Sequence, residues 1–260
     1  MKRIGDIAVY EHGSKDNPAI IFVHGFPMSA NMWKQQVDAL WQTHYCITYD
    51  LRGLGNSSPG DGQHTMESFV DDFFAVLDEL QVAKFSACGL SMGGYLLLRA
   101  YERWPERFEK LILCDTRSQA DDNSAKISRS QNIKRVTAEG NEAFVDSFIP
   151  SCVYAPNITK MGAEYEALLL EWRQNSVVGI KGCLLAIMSR TDTTHVLEKI
   201  QIPSLLLCGE QDAITPAVGM MGMASEIPGG ELVIVPEAGH IAPLENPAYV
   251  NEALISFLKA

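Results

Sequence analysis

The sequence predicts an α/β fold, a mostly parallel sheet flanked by helices, and three observations carry that prediction. Apolar runs of strand length alternate with longer stretches of helical periodicity through the first half of the chain. One serine, Ser91, stands between Gly89 and Gly93 where such a run meets such a stretch. Three of the runs lead into a residue able to do chemistry: Ser91, Asp212 and His240.

Taken in order, Ala19–Val23 is a buried strand that runs into His24-Gly25-Phe26-Pro27, a turn whose backbone N–H groups can face an anion. A helical pattern follows over 33–41, then a strand over 46–49 that ends in Asp50-Leu51-Arg52-Gly53-Leu54-Gly55-Asn56-Ser57. After a second helical pattern over 66–80, the apolar run 85–88 enters Gly89-Leu90-Ser91-Met92-Gly93. That is the G-x-S-x-G nucleophile elbow. A serine lifted onto a sharp strand-to-helix turn sits in strained backbone, and side chains two residues either side would collide across it, so glycines are needed there. The helix Met92–Arg103 then aims its positive end at the serine oxygen. The strand over 111–114 leads to Asp115, which competes with Asp212 for the role of acid.

From 117 to 196 no strand of the same quality appears. Helical periodicity runs instead near 124–139, 142–148, 163–176 and 181–189. Strands resume over 204–208, followed by Gly209-Glu210-Gln211-Asp212, and over 232–235, followed by Pro236-Glu237-Ala238-Gly239-His240. An activated serine needs a base, an acid that orients the base, and donors for an oxyanion, and each has a candidate here.

Composition narrows the function. The 260 residues suffice for one domain with an insertion, and the 47% hydrophobic content describes a soluble globular chain. No signal-like or bilayer-spanning run is present, so a cytoplasmic protein without membrane attachment is expected. The six cysteines show no metal pair and no CxxC, which predicts small buried thiols in a reducing compartment. A net charge of −11 argues against nucleic acid. The charge is uneven, since residues 117–196 hold nine Lys plus Arg against nine Asp plus Glu. No HExxH or similar cluster implies a metal.

With these motifs in chain order serine, acid, histidine, the sequence resembles the α/β-hydrolase fold across nearly its whole length. The run His240-Ile241-Ala242-Pro243-Leu244-Glu245-Asn246-Pro247 strengthens the likeness. The resemblance implies an eight-stranded sheet, a core of 1–116 and 197–260, and a helical cap, or lid, over 117–196. It implies Ser91 as nucleophile, His240 as base and then acid, Asp212 as the orienting acid, and the backbone N–H groups of Phe26 and Met92 as the oxyanion hole. Asp115 then reads as the hinge into the cap. No cofactor is implied, and the substrate that the resemblance implies is a small ester or lactone.

The elbow Gly89-Leu90-Ser91-Met92-Gly93-Gly94 and Leu113-Cys114-Asp115-Thr116 most resemble 3-oxoadipate enol-lactonases and related carboxylesterases, and also cofactor-free haloperoxidases. A serine rather than a carboxylate at the elbow argues against haloalkane dehalogenases and epoxide hydrolases. Carbon–carbon hydrolases stay open, as does a receptor of the same fold without turnover. An enol-lactonase needs cations for its anionic substrate, and Arg117, Arg129, Arg135, Arg173 and Arg190 are the candidates. In the cap, Leu168, Leu169 and Trp172 stand at helical spacing and read as core, with Trp172 the first to test as a ligand contact. His24 is expected to hold its turn by hydrogen bonds. His12, His44 and His64 read as surface residues, and His195 as a structural partner of Asp192. The sequence leaves the oligomeric state open.

Overall fold

In the computed structural model, which describes residues 1–259, eight strands form one sheet in the order β1-β2-β4-β3-β5-β6-β7-β8. The strands are β1 (Lys2–Ile4), β2 (Ile7–His12), β3 (Ala19–Val23), β4 (Tyr45–Tyr49), β5 (Phe85–Leu90), β6 (Phe108–Cys114), β7 (Ser204–Gly209) and β8 (Gly230–Val235). Pairing from β4 through β8 is parallel, while β1 and β2 add an antiparallel edge.

Helices cover both faces, so the central strands bury both sets of side chains, as their near-continuous apolar runs require. Ile20 and Phe22 pack with Val37 and Leu40 of α1 (Lys34–Leu40), whose pattern over 33–41 opens with a 3-10 turn at Ala30–Trp33. Ile21 and Val23 face the opposite side, with Phe69 and Phe73 of α2 (Met66–Glu79) and Leu97 of α3 (Met92–Arg103). α2 starts at a reciprocal cap in which Thr65 and Ser68 each satisfy the other's amide, and it buries Met66, Phe69, Val70, Phe73 and Leu77, a stripe at helical spacing.

Between β6 and β7 lie six helical segments: α4 (Asn123–Glu139), α5 (Asn141–Cys152), α6 (Ala155–Met161), α7 (Ala163–Trp172), α8 (Val177–Ser189) and α9 (Thr194–Leu197). The expected stretch 163–176 therefore stops at Trp172, and 142–148 and 181–189 are parts of longer helices. After β7 come α10 (Ala217–Glu226), α11 (Ala242–Glu245) and α12 (Pro247–Lys259), the last packing beside α1.

The insertion is fastened to loops at the carboxyl ends of the strands, where ligands of open α/β sheets bind. Asn175 donates to the Pro27 carbonyl at 2.7 Å and accepts from the Gly55 amide at 2.8 Å. Ser29 and Asn31 both donate to Glu171. Its own two ends are joined where Arg190 meets Asp121 at 2.6 Å and the Thr193 amide donates to the Ser118 carbonyl at 3.0 Å. No helix among the described residues is long and apolar enough to cross a membrane.

Candidate active site

Ser91 is the residue between β5 and α3, with φ 51° and ψ −112°. Its neighbours hold it in that left-handed region. The Ser91 amide donates to the Cys114 carbonyl at 2.9 Å, and the Thr116 hydroxyl donates to the Ser91 carbonyl at 2.8 Å. A Cβ on Gly93 would strike the Val23 carbonyl, and one on Gly89 would stand 2.7 Å from the Gly93 backbone. The elbow thus closes only with glycine at both places.

Three side chains meet at this turn, Ser91 standing more than a hundred residues from the other two along the chain. His240 Nε2 lies 2.9 Å from Ser91 Oγ, and His240 Nδ1 lies 2.9 Å from Asp212 Oδ2. His240 and Asp212 are both buried, while Ser91 keeps partial access to solvent. Asp212 accepts four hydrogen bonds: Oδ1 from the Ile214 and Thr215 amides, Oδ2 from the Thr215 hydroxyl at 2.5 Å and from His240. Burial alone would raise its pKa, but His240 and Thr215 outweigh that and hold it down at about 2. Asp212 is accordingly an anion, and His240 Nδ1 carries the proton that faces it.

Asp115 sits one strand away and is fully buried at φ 43°. Its Oδ1 accepts from the Gly209 amide at 2.7 Å, and Oδ2 has no partner. Burial raises its pKa strongly, and the charge of Asp212 adds to the rise.

The turn after β3 lies against the elbow, since a Cβ on Gly25 would stand 3.5 Å from Ser91 Cβ. Phe26 follows Gly25 in that turn. Met92 opens α3 on the other side, where the first amides of a helix have no intrahelical acceptor. His24 braces the turn as expected: Nδ1 donates to the Gly25 carbonyl at 2.8 Å and Nε2 accepts from the Leu51 amide at 2.9 Å. Burial lowers its pKa, so the ring is neutral and both roles are available.

Two histidine expectations are corrected. His64 is buried, not a surface residue: Nε2 donates to the Pro59 carbonyl at 2.8 Å, and its ring fills space that Gly53 and Gly182 leave open. His195 pairs with Glu102 at 2.8 Å and not with Asp192, whose carboxylate caps the Thr194 and Ala120 amides. His12 is exposed and His44 half-buried. All six cysteines are free and buried.

A family model described as the alpha/beta hydrolase family matches residues 20–253. The chain belongs to that family. Among relatives of this alpha/beta hydrolase, 3-oxoadipate enol-lactonase 2 of Acinetobacter baylyi is 30% identical over 250 residues, covering 95% of this chain and 91% of the relative. A bifunctional esterase/perhydrolase of Acinetobacter calcoaceticus is 26% identical over 266 residues, covering 98% and 96%. Among solved structures, a thermophilic esterase from Thermogutta terrifontis superposes with a TM-score of 0.93 at 33% identity, covering 97% of this chain and 93% of that one.

Sequence reasoning missed several residues that shape the site of this hydrolase. Thr215 touches both Asp212 and His240, and its position three residues after Asp212 is the spacing of a side-chain-closed turn. Asn157 and Glu245 bind the His240 loop from two sides. Asn157 carried no signal, because its partners are about eighty residues away.

Proposed function

We propose that this alpha/beta hydrolase is a serine hydrolase that cleaves carboxylic esters or lactones of small molecules through an acyl-enzyme, with the 117–196 insertion as its lid. The observation that carries the reading is the unbroken hydrogen-bonded run from Ser91 Oγ through both nitrogens of His240 to Asp212.

In the proposed cycle Ser91 Oγ attacks the carbonyl carbon as its proton passes to His240 Nε2. Asp212, ionised throughout, holds Nδ1–H and stabilises the imidazolium that forms. The developing oxyanion takes hydrogen bonds from the Met92 and Phe26 amides, aided by the positive end of α3. His240 then protonates the leaving alkoxide. A water, deprotonated by the same nitrogen, attacks the acyl carbon, releases the acid and returns the proton to Ser91.

The five arginines of the insertion favour an uncharged substrate. Arg129 and Arg190 share Asp121, Arg135 pairs with Glu139, Arg173 pairs with Asp146, and Arg117 donates to the Ile214 carbonyl. Beside the Phe26 turn stand Phe144 and Phe148, with ring centroids 5.7 and 5.9 Å from that of Phe26. That surface suits an apolar acyl or alkoxy group better than a carboxylate.

Release of p-nitrophenol from acetate and butyrate esters tests the reading. Ser91→Ala is expected to lower kcat by about 10⁶. Stoichiometric ligand binding without turnover by the unaltered protein would favour a receptor and overturn the proposal.

A further inference from the structure

We infer that Glu245 is a positioning residue for His240: its carboxylate binds the histidine loop and the inserted helices at once, so the insertion sets where the imidazole stands. The inference rests on the reading of His240 as the base.

Glu245 closes α11 and is only 4% exposed. Its Oε1 accepts from the Gly239 amide at 2.8 Å and from the Ile241 amide at 3.4 Å, the residues on either side of His240. The amide between them, that of His240 itself, donates to the Cys152 carbonyl at the end of α5 at 2.7 Å. Three consecutive amides are thus committed, two to Glu245 and one to the insertion. Glu245 Oε2 completes the connection by accepting from the Tyr154 amide and from Asn157 Nδ2, each at 2.8 Å. Asn157 Nδ2 also donates to the Glu237 carbonyl at 2.7 Å, three residues before the imidazole.

All of these partners are neutral donors. Burial raises the pKa of Glu245, and the four hydrogen bonds only partly offset that rise. A carboxylate buried without a cation costs stability that an apolar side chain would not. What the carboxylate supplies is direction, two oxygens of one rigid group each accepting from two donors. The reacting nitrogen needs that accuracy, since a displacement near one ångström costs on the order of a hundredfold in rate.

Two variants test this from opposite sides. Glu245→Gln sets an NH2 against donors that need an acceptor, and Asn157→Ala removes the donor from the insertion while the histidine loop keeps its sequence. Hydrolysis of p-nitrophenyl acetate is measured per active serine, counted by stoichiometric labelling with a fluorophosphonate. Glu245→Gln is expected to lower kcat on the order of 10- to 100-fold with KM within about twofold, and the labelling rate should fall in parallel. Asn157→Ala should shift the same quantities in the same direction by several-fold, and it decides the matter if Glu245→Gln does not fold. Rates within about twofold of the unaltered protein, with only the melting temperature lowered, would assign Glu245 a purely structural role and overturn the inference. If the unaltered protein hydrolyses no ester and takes no label at Ser91, the reading of His240 as base fails first and takes this inference with it.

Discussion

Asp115 and Asp212 occupy matching places after neighbouring strands, and the difference between them lies in what surrounds each carboxylate. Asp212 accepts four hydrogen bonds, one of them from His240, whereas Asp115 accepts from Gly209 and leaves its second oxygen unpaired. Asp212→Asn is expected to lower kcat by about 10⁴, because the amide would favour the wrong imidazole tautomer, while Asp115→Asn keeps hydrolysis near that of the unaltered protein. The opposite outcome would move the acid to β6. The two groups also act oppositely on stability. Asp212, held at about 2, contributes stability that is present above its unfolded value and lost as pH falls through about 2. Asp115, with a raised pKa, makes the fold lose stability as pH climbs past the unfolded value of an aspartate. Thermal melts should therefore show Asp115→Asn more stable than the unaltered protein at neutral pH, with the advantage gone in strong acid. The sequence displayed both aspartates after their strands but not the hydrogen bonds that separate them. His64 makes the same point, because only the glycines facing it, at 53 and 182, turn a residue from a polar stretch into a buried one.

Among the elements, those legible in the sequence were long or apolar on both faces, such as β3, β5, β7, α2 and α3. Those missed were short or compositionally poor. β1 and β2 lie at the antiparallel edge of the sheet, and β1 has only three residues. α6 spans seven residues with Pro156 in its first turn, too few for a 3.6-residue period to declare itself. The stretch 163–176 ends early, at Trp172, and beyond it the Ser176 hydroxyl accepts from the Gly179 amide and starts α8 afresh. Gly179 and Gly182, weak helix formers, sit in α8 because the backbone of Gly53 and the ring of His64 press against them. α7 shows what the insertion gains from packing. Trp172 is 1% exposed among Leu168, Leu169 and Val145, as the helical spacing suggested, and its Nε1 has no partner. Trp172→Ala should cost about 3–5 kcal/mol by denaturant unfolding. Trp172→Phe keeps most of the ring and removes the unpaired donor, so its cost should be about 1 kcal/mol. A loss of ester affinity in Trp172→Phe with stability intact would instead make this indole a ligand contact.

At the scale of the molecule, the division into core and insertion read from the sequence does not correspond to two hydrophobic cores. Phe144, Ile180 and Leu184 of the insertion pack in the same cluster as Phe26, Phe69 and Leu97, while Val145, Ile149 and Trp172 join Leu90 and Ile241 on the other face. Strand rhythm alone could not reveal this, because it reports which segments are apolar and not which of them share an interior. The two ends of the insertion are also tied, by the Arg190–Asp121 pair, both partners being 3% exposed, and by the Ser118–Thr193 hydrogen bonds. A unit that shares both its clusters with the sheet has little interior of its own to keep it folded once the sheet opens. Sheet and insertion should therefore unfold together. In a guanidinium titration, fluorescence from the four tryptophans and far-UV circular dichroism should give coincident midpoints. Trp33, Trp41 and Trp104 report on the sheet side and Trp172 on the insertion, so replacing Trp172 with Phe should leave the fluorescence midpoint on the dichroism curve. An early transition carried by Trp172 alone would show that the insertion opens independently, and the fastening through Asn175 and Glu171 would then be too weak to make it part of the core.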